Sequence, residues 1–260
     1  MTGPALSALS QPRQRAVYWC YIQLQSIRAE RFPEPSADSL AGLLLTCVGF
    51  GLEGAELALA TTISGGTFLG IDPSSEHLKA SLRNGACDFM VNTLDESLRV
   101  LKHELRKKKA LSVGLLGEAS AILPAMVERG VQPDLVAESG ASETETAPLN
   151  QPALLTLLER GAVSVDTHAA QSSHAAGLVE VLWTAASLTD LRRMDALALQ
   201  QLPVDDSLRR RWLQQAPAYF HRQRPLQRVL AMHPEEVTRL AEVFKSSVSA
   251  GEIQPSATLH

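Results

Sequence analysis

The sequence predicts an α/β protein, with a doubly wound, parallel, Rossmann-like sheet followed by a helical C-terminal portion. Short apolar runs alternate with longer helical patterns between residues 43 and 166, and a glycine or an acid follows most of these runs. A glycine-rich loop comes directly after the first run. Strands that alternate with helices at this spacing imply parallel pairing with right-handed crossovers.

The predicted elements follow one another with short connections. Strands are predicted over residues 43–48, 67–71, 88–92, 112–116, 134–137 and 162–165, and helices over residues 53–64, 75–83, 94–108, 119–129 and 154–160. Beyond residue 175, helices are predicted over residues 179–188, 207–215 and 234–248.

Composition changes along the chain suggest three parts. Residues 1–38 form an N-terminal arm and extension, polar and mobile over about its first fifteen residues, with an ordered stretch over residues 17–27 that is rich in aromatic and β-branched side chains. Residues 39–170 form the Rossmann-like dinucleotide-binding domain, and residues 171–260 form the helical C-terminal portion.

The loop after the first strand has the spacing of a dinucleotide-binding fingerprint. Gly49, Gly51 and Gly54 stand in the pattern G-x-G-x-x-G, which permits a tight turn, a close approach to a pyrophosphate and close packing of the next helix. The helix that follows offers free N–H groups and a positive dipole end to an anion. Asp72 ends the second predicted strand 18 positions after Gly54, near the offset of about 20 residues expected for a carboxylate that binds ribose.

Two acids in the same loop and helix leave the cofactor prediction open. Glu53 and Glu56 lie near the start of the predicted helix, where a carboxylate repels a diphosphate. Acids are also favourable at a helix N-terminus, by about 0.3–1 kcal/mol each. The loop is therefore either a working NAD site or a structural relic whose anion site these acids fill.

Charge and hydropathy exclude several classes of function. The formal net charge of −4 and the pI near 6.0 give no electrostatic reason to bind nucleic acid or an anionic membrane. No apolar stretch approaches the roughly 20 residues of a membrane span, and the N-terminal residues do not resemble a secretory leader. We therefore expect a cytoplasmic protein whose partner is a small-molecule ligand.

The cysteines and histidines do not predict a metal site. Cys20, Cys47 and Cys87 are widely spaced and are expected to be buried free thiols. The residues Asp166, His168 and His174 would form a metal site only if the chain folded back on itself, and an acid with two surface histidines is the simpler interpretation.

Other side chains have simple structural interpretations. His221, with Arg222 and Arg224, is either an anion clamp or a basic loop. Apolar residues in the predicted C-terminal helices are interpreted as core or as an interface between protomers, which leaves a homodimer open: Leu182, Trp183, Leu188, Trp212 and Leu213.

Segments spread over most of the chain resemble the central, NAD-binding portion of urocanase (urocanate hydratase). The closest match is the stretch ALSVGLLGEASAILPAMVERGVQPDLV at residues 110–136. Shorter matches occur in the family's order: YIQLQSI (21–27), GLEGAE (51–56), LGID (69–72), RNGACD (83–88), PLN (148–150), RGAVSVD (160–166), PAY (217–219) and PLQRVLAMHPEEV (225–237).

The resemblance implies a cofactor and its binding residues. In urocanase, NAD+ lies on this domain and its oxidised nicotinamide acts as an electrophile toward urocanate. Carried over to this chain, the family pattern predicts a cofactor site that includes the loop after the fourth strand of the sheet. The predicted cofactor-binding residues are Gly49, Gly51, Leu52, Gly54, Ala55, Asp72, Gly117 and Glu118.

The departures from the family pattern concentrate on the ligand side. The family's catalytic cysteine follows PAY in the motif FCRG, whereas this chain has PAYFHRQRPLQ at residues 217–227 without a cysteine. The family's QTSAHD loop is replaced by SGASETETA at residues 139–147, and its YGNN turn by THAA at residues 167–170.

Three hypotheses follow for the function. The first is a non-catalytic, urocanase-like protein that binds NAD or a related small ligand. The second is an active urocanate hydratase, an NAD-dependent lyase of histidine degradation, with or without residues from another chain in its site. The third is a structural or interaction module with an empty cleft.

Overall fold

The computed structural model describes residues 13–33, 39–139, 152–166, 177–254 and 258–259. The chain divides into two compact units, Met1–Gln171 and Ser172–His260. Most of the predicted N-terminal arm lies outside the described residues. Within the described part of the chain, no helix has both the length and the apolar character needed to cross a bilayer.

The first unit is built on a six-stranded parallel sheet, which confirms the predicted fold class. The strands are β1 (Leu44–Val48), β2 (Thr67–Asp72), β3 (Phe89–Val91), β4 (Leu111–Leu116), β5 (Leu135–Glu138) and β6 (Val163–Val165). Their order in the sheet is β3-β4-β2-β1-β5-β6. From β1 the chain continues to β2 and then to the edge strand β3, inserts β4 between β3 and β2, and returns to place β5 on the other side of β1. A crevice therefore lies beyond the carboxyl ends of β1 and β5, where the winding direction reverses.

Six helices of the first unit are described. They are α1 (Gln14–Arg31), α2 (Leu52–Ile63), α3 (Ser75–Asn84), α4 (Leu94–Arg106), α5 (Ala119–Glu128) and α6 (Pro152–Glu159). The ordered stretch expected at residues 17–27 is part of α1, because Val17, Tyr18, Tyr21 and Leu24 recur at helical spacing and are buried. Helix α1 packs against α2.

The central strands are buried on both faces. Every residue of β2 is buried, as are the first four residues of β1. Strands covered on both faces read as continuous apolar runs rather than as an alternating pattern, which is why residues 43–48 and 67–71 were recognisable in the sequence.

The second unit combines helices with a small antiparallel sheet. Its helices are α7 (Leu188–Gln201), α8 (Ser207–Phe220) and α9 (Pro234–Ser249), and its strands, in the sheet order β8-β7-β9, are β7 (Val179–Ala185), β8 (Leu226–Met232) and β9 (Thr258–Leu259). The helices predicted over residues 207–215 and 234–248 are confirmed.

The helix predicted over residues 179–188 is wrong. This segment forms β7, which pairs along its whole length with β8. Val181 and Trp183 alternate toward the core with a period of two. The helix begins only after Ser187, whose hydroxyl oxygen accepts a hydrogen bond of 3.0 Å from the backbone N–H of Asp190.

A buried ion pair joins three elements of the second unit. Asp195 of α7 accepts hydrogen bonds from Nη2 (2.8 Å) and Nε (3.2 Å) of Arg228 in β8, and from Nε1 of Trp183 in β7 (3.0 Å). Arg228 is 1% exposed and Asp195 is 5% exposed. The loss of one partner would leave the other charge buried without compensation.

We therefore expect Asp195→Ala to lower the free energy of unfolding by about 3–5 kcal/mol. The matched control is Arg193→Ala on the same helix, which breaks a half-exposed pair between Arg193 and Glu252 and should cost at most about 1 kcal/mol. Urea unfolding followed by tryptophan fluorescence measures both. Equal losses in the two variants would contradict a central role for the buried pair.

Candidate functional site

The glycine loop leaves the carboxyl end of β1 and is fastened to the neighbouring strand β5. Ser139, directly after β5, donates a backbone hydrogen bond to the carbonyl oxygen of Val48 (2.8 Å). Its hydroxyl donates to the carbonyl oxygen of Gly49 (2.8 Å). The loop therefore lies at the point where the winding of the sheet reverses, the usual place for a ligand in an open α/β sheet.

The three glycines of the loop have different surroundings. Gly49 has φ +87°, and a Cβ on it would lie 2.3 Å from the carbonyl oxygen of Ser139. A Cβ on Gly54 would lie 2.3 Å from the carbonyl oxygen of Gly49. Around the Cβ position of Gly51, in contrast, no atom of the described residues lies within 4 Å, apart from its neighbours along the chain. The outer glycines are thus required by packing, whereas the middle one faces open space.

Gly51 is also the N-cap of α2 and, as a glycine, has no side chain that could cap this helix. The first N–H groups of a helix have no partner within the helix. A helix start that lacks a side-chain cap can offer these groups to an anion. Leu52 and Ala55, which were predicted to bind the cofactor, lie in the first turns; Leu52 is half-buried and Ala55 is buried.

Phe50 anchors the loop in the core. Its side chain is fully buried and lies 5.3 Å from the ring of Phe68. A Cβ on Gly70 of β2 would lie 2.4 Å from the Phe50 ring, so glycine at residue 70 makes room for the anchor. The apolar residue between the first two glycines therefore positions the loop.

Asp72, predicted to bind ribose, holds the loop to the end of β2. Its Oδ2 accepts hydrogen bonds from the backbone N–H of Phe50 (2.5 Å) and from Nδ1 of His77 (3.0 Å). Its Oδ1 accepts from the backbone N–H of Ser74 (2.7 Å). A carboxylate can accept about four hydrogen bonds, and Asp72 is 3% exposed. The ribose-binding role stays a prediction.

Glu56 has a partner in the N-terminal helix segment. Its Oε1 accepts hydrogen bonds from the backbone N–H and from Nε of Arg13, each at 3.2 Å, and the residue is 2% exposed. Burial raises the pKa of Glu56, and Arg13 offsets part of that effect, which weakens the interpretation that this acid fills an anion site. Glu53 is half-buried, and its carboxylate would repel a phosphate bound at the helix start.

Gly117 and Glu118 follow β4 on the same edge of the sheet. The backbone N–H of Gly117 donates to the carbonyl oxygen of Asp72 (3.1 Å), so this loop is tied to the end of β2. Glu118 is the exposed N-cap of α5. All the predicted cofactor-binding residues therefore lie along the carboxyl edge of β4, β2 and β1, or in the first turns of α2.

The comparison with protein families concerns the fold that carries these residues. Residues 16–195 match the model of the urocanase Rossmann-like domain. The chain belongs to the urocanase family. The match covers the whole parallel sheet and extends into the second unit through β7.

Among solved structures, the chain is similar to a D-isomer specific 2-hydroxyacid dehydrogenase from Lactobacillus delbrueckii ssp. bulgaricus in its NAD complexed form. The sequence identity is 14% and the TM-score is 0.21. The match covers 65% of this chain and 60% of the dehydrogenase chain. This likeness is weak, and the family assignment does not depend on it.

The thiols of this urocanase-family chain are all inaccessible. Cys20, Cys47 and Cys87 are free and buried, as predicted. Burial raises the pKa of each thiol to about 12, with Glu56 and Glu53 adding to the effect at Cys20. The reactive form of cysteine is the thiolate, so none of the three is suited to act as a nucleophile.

The remaining candidates are only partly described. Asp166 follows β6, and its carbonyl oxygen accepts a hydrogen bond of 2.8 Å from Nε2 of Gln23. His168 and His174 lie outside the described residues, among which no group of three or more ligands could hold a metal ion. His221 lies at the end of α8, with Nδ1 2.8 Å from the carbonyl oxygen of Ala218.

Glu138 is a site residue that the sequence did not single out. It is the last residue of β5 and lies beside Val48 of β1, so it stands at the crevice next to the glycine loop. Burial raises the pKa of its carboxyl group to about 6. The sequence feature that could have identified Glu138 is its position as an acid directly after the apolar run at residues 134–137.

The raised pKa of Glu138 predicts a pH-dependent stability. The folded state holds the proton more tightly than the unfolded state, so wild-type stability should fall as pH rises from about 4.5 to about 6. Glu138→Gln removes this loss, and its melting temperature relative to wild type should therefore increase over that pH range. Thermal unfolding at several pH values tests this, with the exposed Glu128→Gln as the control for an amide substitution. A constant difference between Glu138→Gln and wild type would contradict the shift.

Proposed function

We propose that this urocanase-family protein binds NAD at the crevice beyond β1 and β5 and does not hydrate urocanate. The observation that carries the first part is the open space at Gly51 between two glycines that packing requires. A pyrophosphate needs such a gap in order to approach the backbone at a helix N-terminus.

The surrounding structure supports a preformed site. Asp72, Ser139 and the buried ring of Phe50 hold the loop from three sides. A loop that is already ordered loses little conformational entropy when a ligand binds. Glu53 opposes binding, and the ion pair between Glu56 and Arg13 reduces the opposition from the second acid.

The absence of a usable thiol supports the second part of the proposal. The family's cysteine motif after PAY is missing at residues 220–223. The three cysteines that the chain contains are buried, with pKa values raised to about 12. A nucleophile of this kind would have to be exposed to the substrate and readily ionised.

Gly51→Val should weaken NAD+ binding at least about tenfold, which corresponds to about 1.4 kcal/mol. The backbone at Gly51 has φ −68° and ψ −153°, and the melting temperature of each variant, measured beside its affinity, separates a folding defect from a loss of binding. Gly51→Ala should give a smaller loss, because its side chain fills less of the gap. Isothermal titration calorimetry with NAD+ measures the affinities. No wild-type binding at millimolar NAD+, or equal binding by wild type and Gly51→Val, would contradict the proposed site.

Urocanate incubated with NAD+ and a high concentration of the protein should keep its ultraviolet absorbance. A steady loss of absorbance that depends on protein concentration would contradict the non-catalytic part of the proposal. The calorimetric result would be unaffected by that outcome, so the two parts of the proposal fail independently.

A further inference from the structure

His77 lies at the same edge of the sheet as the glycine loop, in the first turn of α3. Its Nδ1 is 3.0 Å from Oδ2 of Asp72, the last residue of β2. Because an ionised carboxylate only accepts hydrogen bonds, Nδ1 carries the proton of this pair. The His77 side chain is 55% exposed. The imidazole is therefore held through Nδ1, and Nε2 is the nitrogen left for a ligand.

The oxygens of Asp72 are already occupied by donors of the protein. Besides His77, Oδ2 accepts from the backbone N–H of Phe50 (2.5 Å), and Oδ1 accepts from the backbone N–H of Ser74 (2.7 Å). The residue is also buried. An acid that binds the ribose of NAD directs a carboxylate oxygen to the ligand. In this chain the side chain that extends from the acid toward solvent is that of His77.

Few charged groups surround the imidazole. Helix α3 contacts β2, β3 and β4, and Asp72 is the only titratable residue within these three strands. On α3 itself, Glu76 forms an ion pair with Lys79 (3.3 Å). Further charged residues occur later on α3 and in the neighbouring loops: Glu53, Arg83, Asp88 and Glu118. The charge at this position therefore changes with the protonation of His77.

The two protonation states of an imidazole held in this way recognise different partners. Neutral His77 has a lone pair on Nε2, which accepts a hydrogen bond from a hydroxyl group. Protonated His77 has an N–H at Nε2, which donates a charge-assisted hydrogen bond to a phosphate. NAD has a hydroxyl and NADP a phosphate on the 2′ carbon of the adenosine ribose, which binds near the end of the second strand in Rossmann-like domains.

We propose that His77 contacts the 2′ substituent of the adenosine ribose and selects between NAD and NADP according to pH. Neutral His77 accepts a hydrogen bond from the 2′-hydroxyl of NAD, and protonated His77 donates one to the 2′-phosphate of NADP. Asp72 positions the imidazole and does not itself bind the ribose. This inference rests on the proposed dinucleotide site and adds NADP as a second ligand of that site.

The test is isothermal titration calorimetry of the full chain with NAD+ and with NADP+ at about pH 8 and about pH 6, the range in which histidine changes charge. The Kd for NADP+ divided by the Kd for NAD+ should fall at least about tenfold between the two pH values. The 2′-phosphate also gains a proton in this range, which opposes the expected change. Variants of His77 retain this second contribution and therefore measure it.

Two variants isolate the imidazole. In His77→Gln the ratio of the two Kd values should no longer fall at low pH, because an amide has no charge. Its affinity for NAD+ at about pH 8 should stay within about threefold of wild type, because the amide oxygen can also accept from the 2′-hydroxyl. His77→Arg should favour NADP+ at both pH values, because its charge does not titrate. The control His103→Gln removes an exposed histidine of α4 and should respond as wild type does.

Three results would overturn the role of His77. They are a wild-type ratio that does not depend on pH, a wild-type pH response in His77→Gln, and an equal loss of affinity for both dinucleotides in His77→Gln, which is the result expected of a purely structural role. A failure of the dinucleotide site itself looks different, because neither NAD+ nor NADP+ would then bind to the wild-type protein.

Discussion

The carboxylate of Asp72 fixes the glycine loop in relation to the sheet. It accepts one hydrogen bond from the loop, one from the segment after β2 and one from His77. The bond from the loop is buried, so it is protected from competition by water. Ser139 holds the same loop from the side of β5. The direction of α2, and with it the direction of the N–H groups at its start, follows from these two attachments.

The glycine pattern therefore has two separate physical origins. Close packing of the backbone against Ser139 and against Gly49 itself requires the first and third glycines, whatever ligand is present. The middle glycine has no such requirement. A chain that had lost its ligand could keep the first and third glycines for stability alone, so the residue at position 51 is the informative one.

Local sequence patterns predicted the parallel sheet well, because its central strands are buried on both faces and end at glycine or an acid. They failed at β7, whose helical interpretation was overturned by pairing with β8, more than forty residues later in the chain. Strand formation depends on such partners more than on local preference. Local patterns also could not predict the ion pair between Glu56 and Arg13, because these residues are 43 positions apart in the chain. The raised pKa of Glu138 comes from burial, which the order of residues does not reveal.

Because of where the cysteines lie, their reaction with a thiol reagent reports local opening of one unit of the protein. All three belong to the first unit and are buried there, so a thiol reagent can reach them only when that unit opens. The second unit contains no cysteine and therefore does not react with such a reagent. The rate of thiol modification therefore follows local opening of the sheet domain alone. Cys47, in β1 just before the glycine loop, would react more slowly if a ligand bound to that loop and stabilised it.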